Sequence, residues 1–339
     1  MSQPVKIEPT VNAEELTKVL EKMLGKIVGM EIRPYAYRSS FALEEIDVRL
    51  ADGTQLEILF KDLSRHALLD EARQVKPSFL YDPLREIDCY RSILSSCPMG
   101  TAAFYGAVVD EPAGRYWLLL EKVKGLELYQ VGEIRLWQEA ARWLAQFHQR
   151  FASSEELGKL SQAGRWLTYD EKYYRHWPER AATLARNDGA RQKIDRLASC
   201  YEAVIQRLIS LPVTFIHGEF YPSNILVSES VGKVRICPVD WEMAAIGPGL
   251  IDLAALTAGN WPDQDRDTIA FAYYEALPAA SRPMEREFLT DLAFCRLHLS
   301  LQWLGWSADW KPPAEHAKDW LGEALRLAHK LGLLEGSRQ

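Results

Sequence analysis

Two short polar segments carry residue types that could bind a metal ion and orient a hydroxyl group. They are residues 217–224, HGEFYPSN, and residues 239–242, VDWE. Magnesium takes oxygen ligands and is usually held by one or two protein groups together with substrate phosphates, which Asn224 and Asp240 would suit. Either residue taken alone would more often cap a turn. Together, the two segments favour a site that binds a divalent cation and orients a hydroxyl group.

These segments resemble motifs of a known family. Residues 217–224 resemble the HGDxxxxN catalytic loop of the aminoglycoside phosphotransferase and choline kinase-like family, and residues 239–242 resemble its (I/V)DWE metal-binding segment. Four upstream stretches resemble the family's lysine strand, glutamate helix, hinge and pre-catalytic helix: LEILFK (56–61), REIDCY (85–90), LLLEKVKG (118–125) and LAQFH (144–148). Residues 247–253, GPGLIDL, resemble the run that carries a structural aspartate, here Asp252. The resemblance spans roughly residues 31–259 in the family's order, and such an ordered set is more specific than any single motif.

The resemblance implies an α+β, two-lobed protein-kinase-like fold. Residues 1–122 would form the N-terminal nucleotide-binding lobe, an antiparallel β-sheet with one main helix. Residues 123–339 would form a mainly helical C-terminal lobe that holds the catalytic residues and the substrate.

The resemblance also implies roles for residues of the N-terminal lobe. Lys61 would contact the α- and β-phosphates of ATP, and Glu86 would hold this flexible side chain in position. The hinge at Glu121 and Val123 would hydrogen-bond the adenine through its main chain. Without the downstream loop, an ordinary strand-end lysine and a solvated helix glutamate would be the preferred interpretation.

The turn between the first two strands departs from the pattern of protein kinases. Residues 37–42 read YRSSFA and contain no glycine-rich run. Main-chain N–H groups and hydroxyls both bind phosphate, so Ser39 and Ser40 are predicted phosphate neighbours, although serine is also an ordinary turn former. The missing glycines favour a small-molecule kinase over a protein kinase.

In the C-terminal lobe, the resemblance assigns magnesium to Asn224 and Asp240 and the catalytic base to Glu219. The family usually has aspartate at the position of Glu219, and a misplacement of about one ångström can be costly for a base. In one interpretation the loop has shifted and the enzyme remains a kinase. In the other, transfer is weak or absent and the protein is a nucleotide-binding pseudokinase or scaffold. The first is favoured, because the other residues of the set are retained. His217 is expected to hydrogen-bond within the loop.

The predicted function is an ATP- and Mg²⁺-dependent phosphotransferase, with GTP as the alternative nucleotide. Its acceptor would be a hydroxyl group of a small molecule such as an aminoglycoside, a sugar or an amino alcohol. Asp263, Asp265 and Asp267, with Glu275 on the following helix, could attract a cationic acceptor. Acidic residues at this place could equally begin a helix. Tryptophans could form an aromatic wall for it or belong to the core: Trp261, Trp303, Trp306 and Trp310.

The elements that must position these residues follow from periodicity. Alternating runs over residues 31–63, with a turn at Asp52-Gly53, predict an antiparallel meander, and residues 103–109 and 115–121 predict two further strands. A helix is predicted over 83–96, long helices over 134–151, 190–211, 265–277, 284–306 and 313–331, and short strands within 213–243. The first twenty or so residues predict a helix at the periphery.

Composition narrows the class of protein further. The chain has 339 residues, is 47% hydrophobic and carries a formal net charge of -7, which argues against nucleic acid as its main partner. It has no apolar run of bilayer length and no signal peptide, so a cytoplasmic protein without membrane partners is expected. The five scattered cysteines predict reduced thiols. The choice between monomer and homodimer is left open.

Overall fold

The structure is a computed structural model, which describes residues 11–35, 40–97, 99–163, 165–230, 232–259, 261–306 and 317–334. The chain divides into two compact units. The first unit comprises Met1–Gln74 and Tyr81–Lys124, and the second comprises Val75–Leu80 and Gly125–Gln339. A short stretch between two parts of the first unit therefore groups with the second.

The first unit is built on a five-stranded antiparallel sheet with the order β1-β2-β3-β5-β4. Its elements are α1 (Ala13–Leu24), β1 (Ile27–Pro34), β2 (Leu43–Leu50), β3 (Gln55–Asp62), α2 (Asp70–Val75), α3 (Pro83–Asp88), β4 (Phe104–Asp110) and β5 (Arg115–Glu121). The last residue of α2 groups with the second unit. The β2–β3 hairpin turns at Gly53, whose φ of 90° favours glycine. The predicted meander and the two further strands are all present.

Helix α1 confirms the predicted N-terminal helix, and one of its faces packs against the sheet of the first unit. Asn12 caps its first turn by accepting the main-chain N–H of Glu14 at 2.9 Å. Leu16 and Leu20, four residues apart on one face, are both fully buried. They pack with inward side chains of the sheet: Ile46, Val48, Leu50, Ile58, Phe60, Trp117 and Leu119.

The predicted helix over residues 83–96 is present but changes pitch. Asp82 caps it by accepting the N–H of Leu84 at 2.9 Å, and Pro83 occupies the first helical turn. Regular α3 ends at Asp88, and the chain continues as a π-turn over Cys89–Ile93 and a 3₁₀ turn over Leu94–Ser96. Single π-turns inside helices often lie near functional residues, and here the turn begins three residues after Glu86.

The second unit is mainly helical. Its helices are α4 (Ile134–Arg150), α5 (Ser154–Ala163), α6 (Glu171–Thr183), α7 (Asp188–Ile209), α8 (Leu250–Leu256), α9 (Asp263–Ala276), α10 (Glu285–Leu304) and α11 (Trp320–Lys330). The five predicted long helices correspond to α4, α7, α9, α10 and α11, with the predicted start of the last at residue 313 outside the described residues. Helices α5, α6 and α8 were not predicted.

Two small sheets lie among these helices. Their strands are β6 (Leu126–Glu127), β7 (Leu167–Thr168), β8 (Val213–Ile216), β9 (Ile225–Ser230), β10 (Lys233–Pro238) and β11 (Ala245–Pro248). The sheet orders are β10-β9-β6 and β7-β11-β8. Strand β8 ends directly before the 217–224 loop, and the β9–β10 hairpin leads from that loop to residues 239–242. The architecture confirms the predicted α+β class, and no helix among the described residues is long and apolar enough to span a bilayer.

Candidate active site

The loop at residues 217–224 is hydrogen-bonded at its start to one buried carboxylate. The main-chain N–H groups of His217 and Gly218 donate to the two oxygens of Asp252, at 2.7 and 2.9 Å. Asp252 lies in the first turn of α8 and is fully buried. Hydrogen bonds to a carboxylate are stronger than neutral ones, so this pair fixes the start of the loop.

Asp252 is itself oriented by two other helices. The Nε2 of His148, near the end of α4, lies 3.2 Å from an Asp252 oxygen, and its Nδ1 lies 3.0 Å from the hydroxyl of Tyr273 on α9. All three side chains are buried. The loop is thus tied through Asp252 to α4, α8 and α9.

His217 is a structural member of the loop. Its Nε2 lies 2.9 Å from the carbonyl oxygen of Val239. Since a carbonyl oxygen can only accept, Nε2 is the donor. Its Nδ1 accepts the N–H of Glu219 at 3.3 Å. The ring is fully buried, and this burial lowers its pKa. His217 is therefore a neutral ring that connects the loop to the residue preceding Asp240, as expected from the sequence.

Gly218 permits the close packing of the loop. Its φ is 83°, a left-handed conformation that side-chain-bearing residues rarely adopt. A Cβ atom there would collide with the carbonyl oxygen of Met243. Only glycine fits, so the loop and the turn after Asp240 lie against each other.

Glu219 and Asn224 are held at the two ends of the loop. The Asn224 Nδ2 donates to the main-chain carbonyl of Glu219 at 3.0 Å. The Asn224 carbonyl accepts the N–H of Val239 at 2.9 Å. Both side chains are half-buried. Because the amide nitrogen is committed to Glu219, the amide oxygen of Asn224 is the atom left for a ligand.

Asp240 adopts a conformation that few residues tolerate. Its φ and ψ are 62° and 64°, and no other non-glycine residue in the described part of the chain has a positive φ. A left-handed residue of this kind costs of order 1–3 kcal/mol and persists only where the surroundings over-determine it. The next residue, Trp241, provides part of that constraint, being fully buried with its indole N–H donating to Pro238 at 3.2 Å.

Asn224 and Asp240 fit a magnesium ion by their chemistry. Both offer oxygen atoms as ligands, and both are half-buried. Asn224 accepts the N–H of Val239 through its main-chain carbonyl, and Asp240 is the residue after Val239. The described residues contain no group of three or more His, Cys, Asp and Glu side chains arranged to hold an ion. The nearby Glu242 forms an ion pair with Lys76.

Lys61 and Glu86 form a buried ion pair in the first unit. The Lys61 Nζ lies 2.7 Å from a Glu86 oxygen, with side-chain exposures of 6% and 2%. The ammonium also lies 5.5 Å from the centre of the Phe41 ring. Strand β3 and helix α3 therefore position a cation held by a carboxylate.

Three other residues predicted to contact the nucleotide are described by the structure: Ser40, Glu121 and Val123. Glu121 ends β5, and its carboxylate accepts the N–H of Ala103 at 3.0 Å. Val123, two residues on, is buried. Ser40 is half-buried, and its carbonyl accepts the N–H of Leu69 at 3.0 Å. Ser39 lies outside the described residues.

Three of the tryptophans considered for an acceptor wall pack against other aromatic side chains. Trp310 lies outside the described residues. Trp303 stacks on Trp320 at 5.2 Å and also contacts Tyr221 of the 217–224 loop at 5.3 Å, whereas Trp306 stacks on Trp177 at 6.1 Å and Trp261 meets Trp137 edge-on at 4.7 Å. All three are half-buried, so they are not core residues, and Trp303 contacts the loop through Tyr221.

Three of the four acidic residues considered for a cationic acceptor lie in the first two turns of α9, and Glu275 lies near its end. Asp263 and Asp265 lie in the first turn of α9, where they oppose the helix dipole. Between them and Asp267, Arg266 donates to Glu323 at 3.0 Å. The helix-terminus interpretation is therefore favoured for this group.

Lys76 was not singled out by the sequence. It is separated by 166 residues from its partner Glu242, and no local motif marks it. Only the fold reveals the pairing.

Known structures share this fold at low sequence identity. The microcompartment-associated aminopropanol kinase has a TM-score of 0.61 at 14% identity, with 95% of this chain and 99% of that chain covered. Choline kinase LicA from Streptococcus pneumoniae has 0.57 at 12%, covering 95% and 99%. Aminoglycoside phosphotransferase APH(3'')-Id from Streptomyces rimosus ATCC10970, in complex with ADP and streptomycin, has 0.53 at 16%, covering 88% and 100%. These similarities confirm the predicted protein-kinase-like fold.

The sequence comparison identifies the family directly. No curated protein matches the chain. The model of the phosphotransferase enzyme family (APH) matches residues 90–286, a stretch that contains the Asp252-anchored loop, Asn224 and Asp240. Since this match covers more than half of the sequence, the chain belongs to the phosphotransferase enzyme family.

Proposed function

We propose that the protein is an ATP- and Mg²⁺-dependent kinase that phosphorylates a hydroxyl group of a small molecule. The observation that carries this proposal is the loop held by Asp252, which presents Glu219 and Asn224 beside the segment that bears Asp240. Family membership supports phosphoryl transfer, and the loop supplies a carboxylate and oxygen ligands of the required kinds.

Glu219 is the proposed catalytic base. Its carboxylate would accept the proton of the acceptor hydroxyl while the oxygen attacks phosphorus. The main chain on both sides of it is hydrogen-bonded within the loop, at its N–H by His217 and at its carbonyl by Asn224. A base on such a rigid backbone keeps a defined reach, which proton transfer requires.

Asn224 and Asp240 are the proposed metal ligands. Magnesium, when bound, neutralises the charge on the transferred phosphoryl group. The conformation of Asp240 and the anchored main chain of Asn224 would hold their oxygens in place before nucleotide arrives. Preorganised ligands avoid reorganisation during the reaction.

The nucleotide would be bound by the first unit, with residues 1–122 as the nucleotide-binding lobe and residues 123–339 as the catalytic and substrate lobe. Lys61, fixed by Glu86, would contact phosphate oxygens. We assign the adenine contact to the main chain at Glu121 and Val123, and further phosphate contacts to Ser39 and Ser40. ATP is the proposed donor, with GTP as the alternative.

The proposed acceptor class follows from chemistry that the similar proteins share. These proteins are an aminopropanol kinase, a choline kinase and an aminoglycoside phosphotransferase in complex with streptomycin. Aminopropanol, choline and streptomycin all carry hydroxyl groups. A hydroxyl of an amino alcohol, a sugar or an aminoglycoside is therefore proposed for this enzyme.

Glu219 also supports a second candidate, a nucleotide-binding pseudokinase or scaffold. Glutamate is one methylene longer than the aspartate usual in the family. Because the N–H and the carbonyl of Glu219 are hydrogen-bonded within the loop, its main chain has little freedom to move back and compensate for the extra length. In this case nucleotide would stabilise the protein but no acceptor would be phosphorylated.

The test is a thermal-shift measurement with ATP and with GTP, each with and without Mg²⁺, on the wild type and on Asp240→Ala. Ligand at 100 times its dissociation constant stabilises the folded state by about 2.7 kcal/mol. We expect a magnesium-dependent shift in the wild type that is lost in Asp240→Ala, together with loss of nucleoside diphosphate release in the presence of alcohol, sugar and aminoglycoside acceptors.

The matched control is Asp195→Ala, an exposed aspartate on α7. It should keep both the shift and the turnover. Full activity in Asp240→Ala would refute the kinase proposal, and a nucleotide shift without turnover on any acceptor would establish the pseudokinase.

A further inference from the structure

Lys76 lies in the stretch Val75–Leu80, which groups with the second unit although the chain on either side of it belongs to the first. Its ammonium forms an ion pair with the carboxylate of Glu242. The two side chains are only 5% and 11% exposed. An ion pair shielded from water in this way is screened little by salt and holds a defined geometry.

The stretch that carries Lys76 is fixed by its own packing within the second unit. Pro77 and Leu80 are buried, and the Leu80 N–H donates to the Pro77 carbonyl at 3.0 Å. Phe79 meets the ring of His176 edge-on at 4.4 Å and lies 6.0 Å from Trp177. The main chain that carries Lys76 is therefore held in place by packing next to the residue that contacts Glu242.

Glu242 lies in the turn that directly follows Asp240. The turn spans Trp241–Met243 and is closed by the Ala244 N–H donating to the Trp241 carbonyl at 3.1 Å. Trp241 is fixed inward among Phe147, Phe215 and His217. The ion pair fixes the following residue of the same turn. Asp240 is in the left-handed conformation, which needs such constraints on its neighbours.

We infer that Lys76 is a positioning residue for the metal-binding segment, acting through Glu242 on the orientation of Asp240. This inference rests on the proposed function. Residues that orient metal ligands without binding the metal typically cost about 10–100-fold in metal affinity or activity when they are replaced.

The experiment compares Lys76→Met, Lys76→Arg, Glu242→Gln and the double variant Lys76→Met/Glu242→Gln. The readout is the Mg²⁺ concentration that gives half of the thermal stabilisation by ATP, with kcat and KM for Mg·ATP measured in parallel. Lys76→Met and the double variant should raise this concentration by about 10–100-fold. Lys76→Arg, which keeps the charge, should require less Mg²⁺ than Lys76→Met.

The double variant is decisive, because removing one member of a buried pair leaves an uncompensated charge that can prevent folding, whereas removing both leaves none. If Lys76 acts through Glu242, the double variant should require no more Mg²⁺ than the worse single variant, since residues that act as one unit are not additive.

The matched control is Arg207→Met, which breaks the 2.6 Å ion pair between Arg207 on α7 and Asp291 on α10 in the same unit. It should lower the melting temperature of the ligand-free protein and leave the Mg²⁺ requirement unchanged. A folded double variant with a wild-type Mg²⁺ requirement would overturn the inference while the proposed function stands. A wild type without any magnesium-dependent shift would overturn both.

Discussion

Glu219, the proposed catalytic base, lies on a part of the loop whose main chain is held by hydrogen bonds. Its side chain is half-buried, while its N–H and carbonyl are both hydrogen-bonded inside the loop. In the proposed mechanism, the side chain alone must therefore set the distance between the carboxylate and the acceptor hydroxyl.

At this position we predict that Glu219→Gln lowers kcat by about 10²–10⁴-fold, the usual contribution of a general base. Glu219→Asp should also lower kcat, by up to about 10²-fold, because the carboxylate is withdrawn from a geometry built for glutamate. The thermal shift with Mg·ATP should stay at the wild-type value in both variants.

The measurement is steady-state release of nucleoside diphosphate with the best acceptor. Glu202→Gln, an exposed glutamate on α7, is the matched control and should behave as wild type. An increase of kcat in Glu219→Asp would support the pseudokinase alternative instead.

At the scale of elements, three helices meet beneath the loop. Asp252 from α8 accepts the N–H groups of His217 and Gly218, His148 from α4 contacts Asp252, and Tyr273 from α9 contacts His148. The loop itself has little regular structure. Its geometry is therefore determined by a buried polar network, which is costly when only partly satisfied.

We predict that Asp252→Asn destabilises the protein by about 1–3 kcal/mol, the cost of leaving a buried donor without its acceptor. One of the new amide's two heavy atoms is a donor, so it cannot accept from both N–H groups. The kcat should fall as well, because the loop loses one of its two attachments. Urea unfolding and steady-state kinetics measure the two effects.

The control for this substitution is Asp170→Asn. Asp170 caps α6 by accepting the N–H of Tyr173 at 2.8 Å, and asparagine caps a helix as well as aspartate does. Its stability and kcat should match the wild type. An Asp252→Asn protein with wild-type kcat would show that the attachment does not position the loop.

At the scale of the whole molecule, buried histidines make stability depend on pH. His298 is fully buried on α10, where its Nδ1 lies 2.7 Å from the hydroxyl of Tyr201 on α7. Burial lowers the pKa of His298 to about 3 and also lowers that of His217. Below pH 6.5 the unfolded chain therefore binds more protons than the native protein, and the free energy of unfolding falls as the pH falls.

We predict that the loss of stability between pH 7.5 and pH 5.5 is smaller in His298→Asn than in the wild type by about 1.4 kcal/mol. The asparagine oxygen can still accept from Tyr201, but the group that titrates in the unfolded chain is gone. Urea unfolding at the two pH values measures this difference.

His329→Asn, at the exposed end of α11, is the reference substitution. The comparison uses the change with pH within each variant, so a constant loss of stability from the substitution cancels. A wild-type pH dependence in His298→Asn would contradict the assignment.

Much of this protein could be predicted from its sequence, because the relevant signals are local. The hairpin at Gly53, the strands around it and five long helices follow from turn chemistry and from periods of two and 3.6 residues. The family loop, its asparagine and the aspartate of the next segment are close in sequence. The order of the motifs therefore predicts that these residues belong to one site.

The tertiary structure alone decided the contacts between distant residues. It packed α1 against the sheet, gave the helix after Pro83 a π-turn, placed Trp303 against Tyr221 of the loop and joined Lys76 to Glu242. These outcomes depend on which surfaces meet after the chain has folded, and a local pattern records only that a surface is apolar or charged. The sequence by itself determined the elements and the residue types available for chemistry, while the packing of distant segments determined which of those residues are held together.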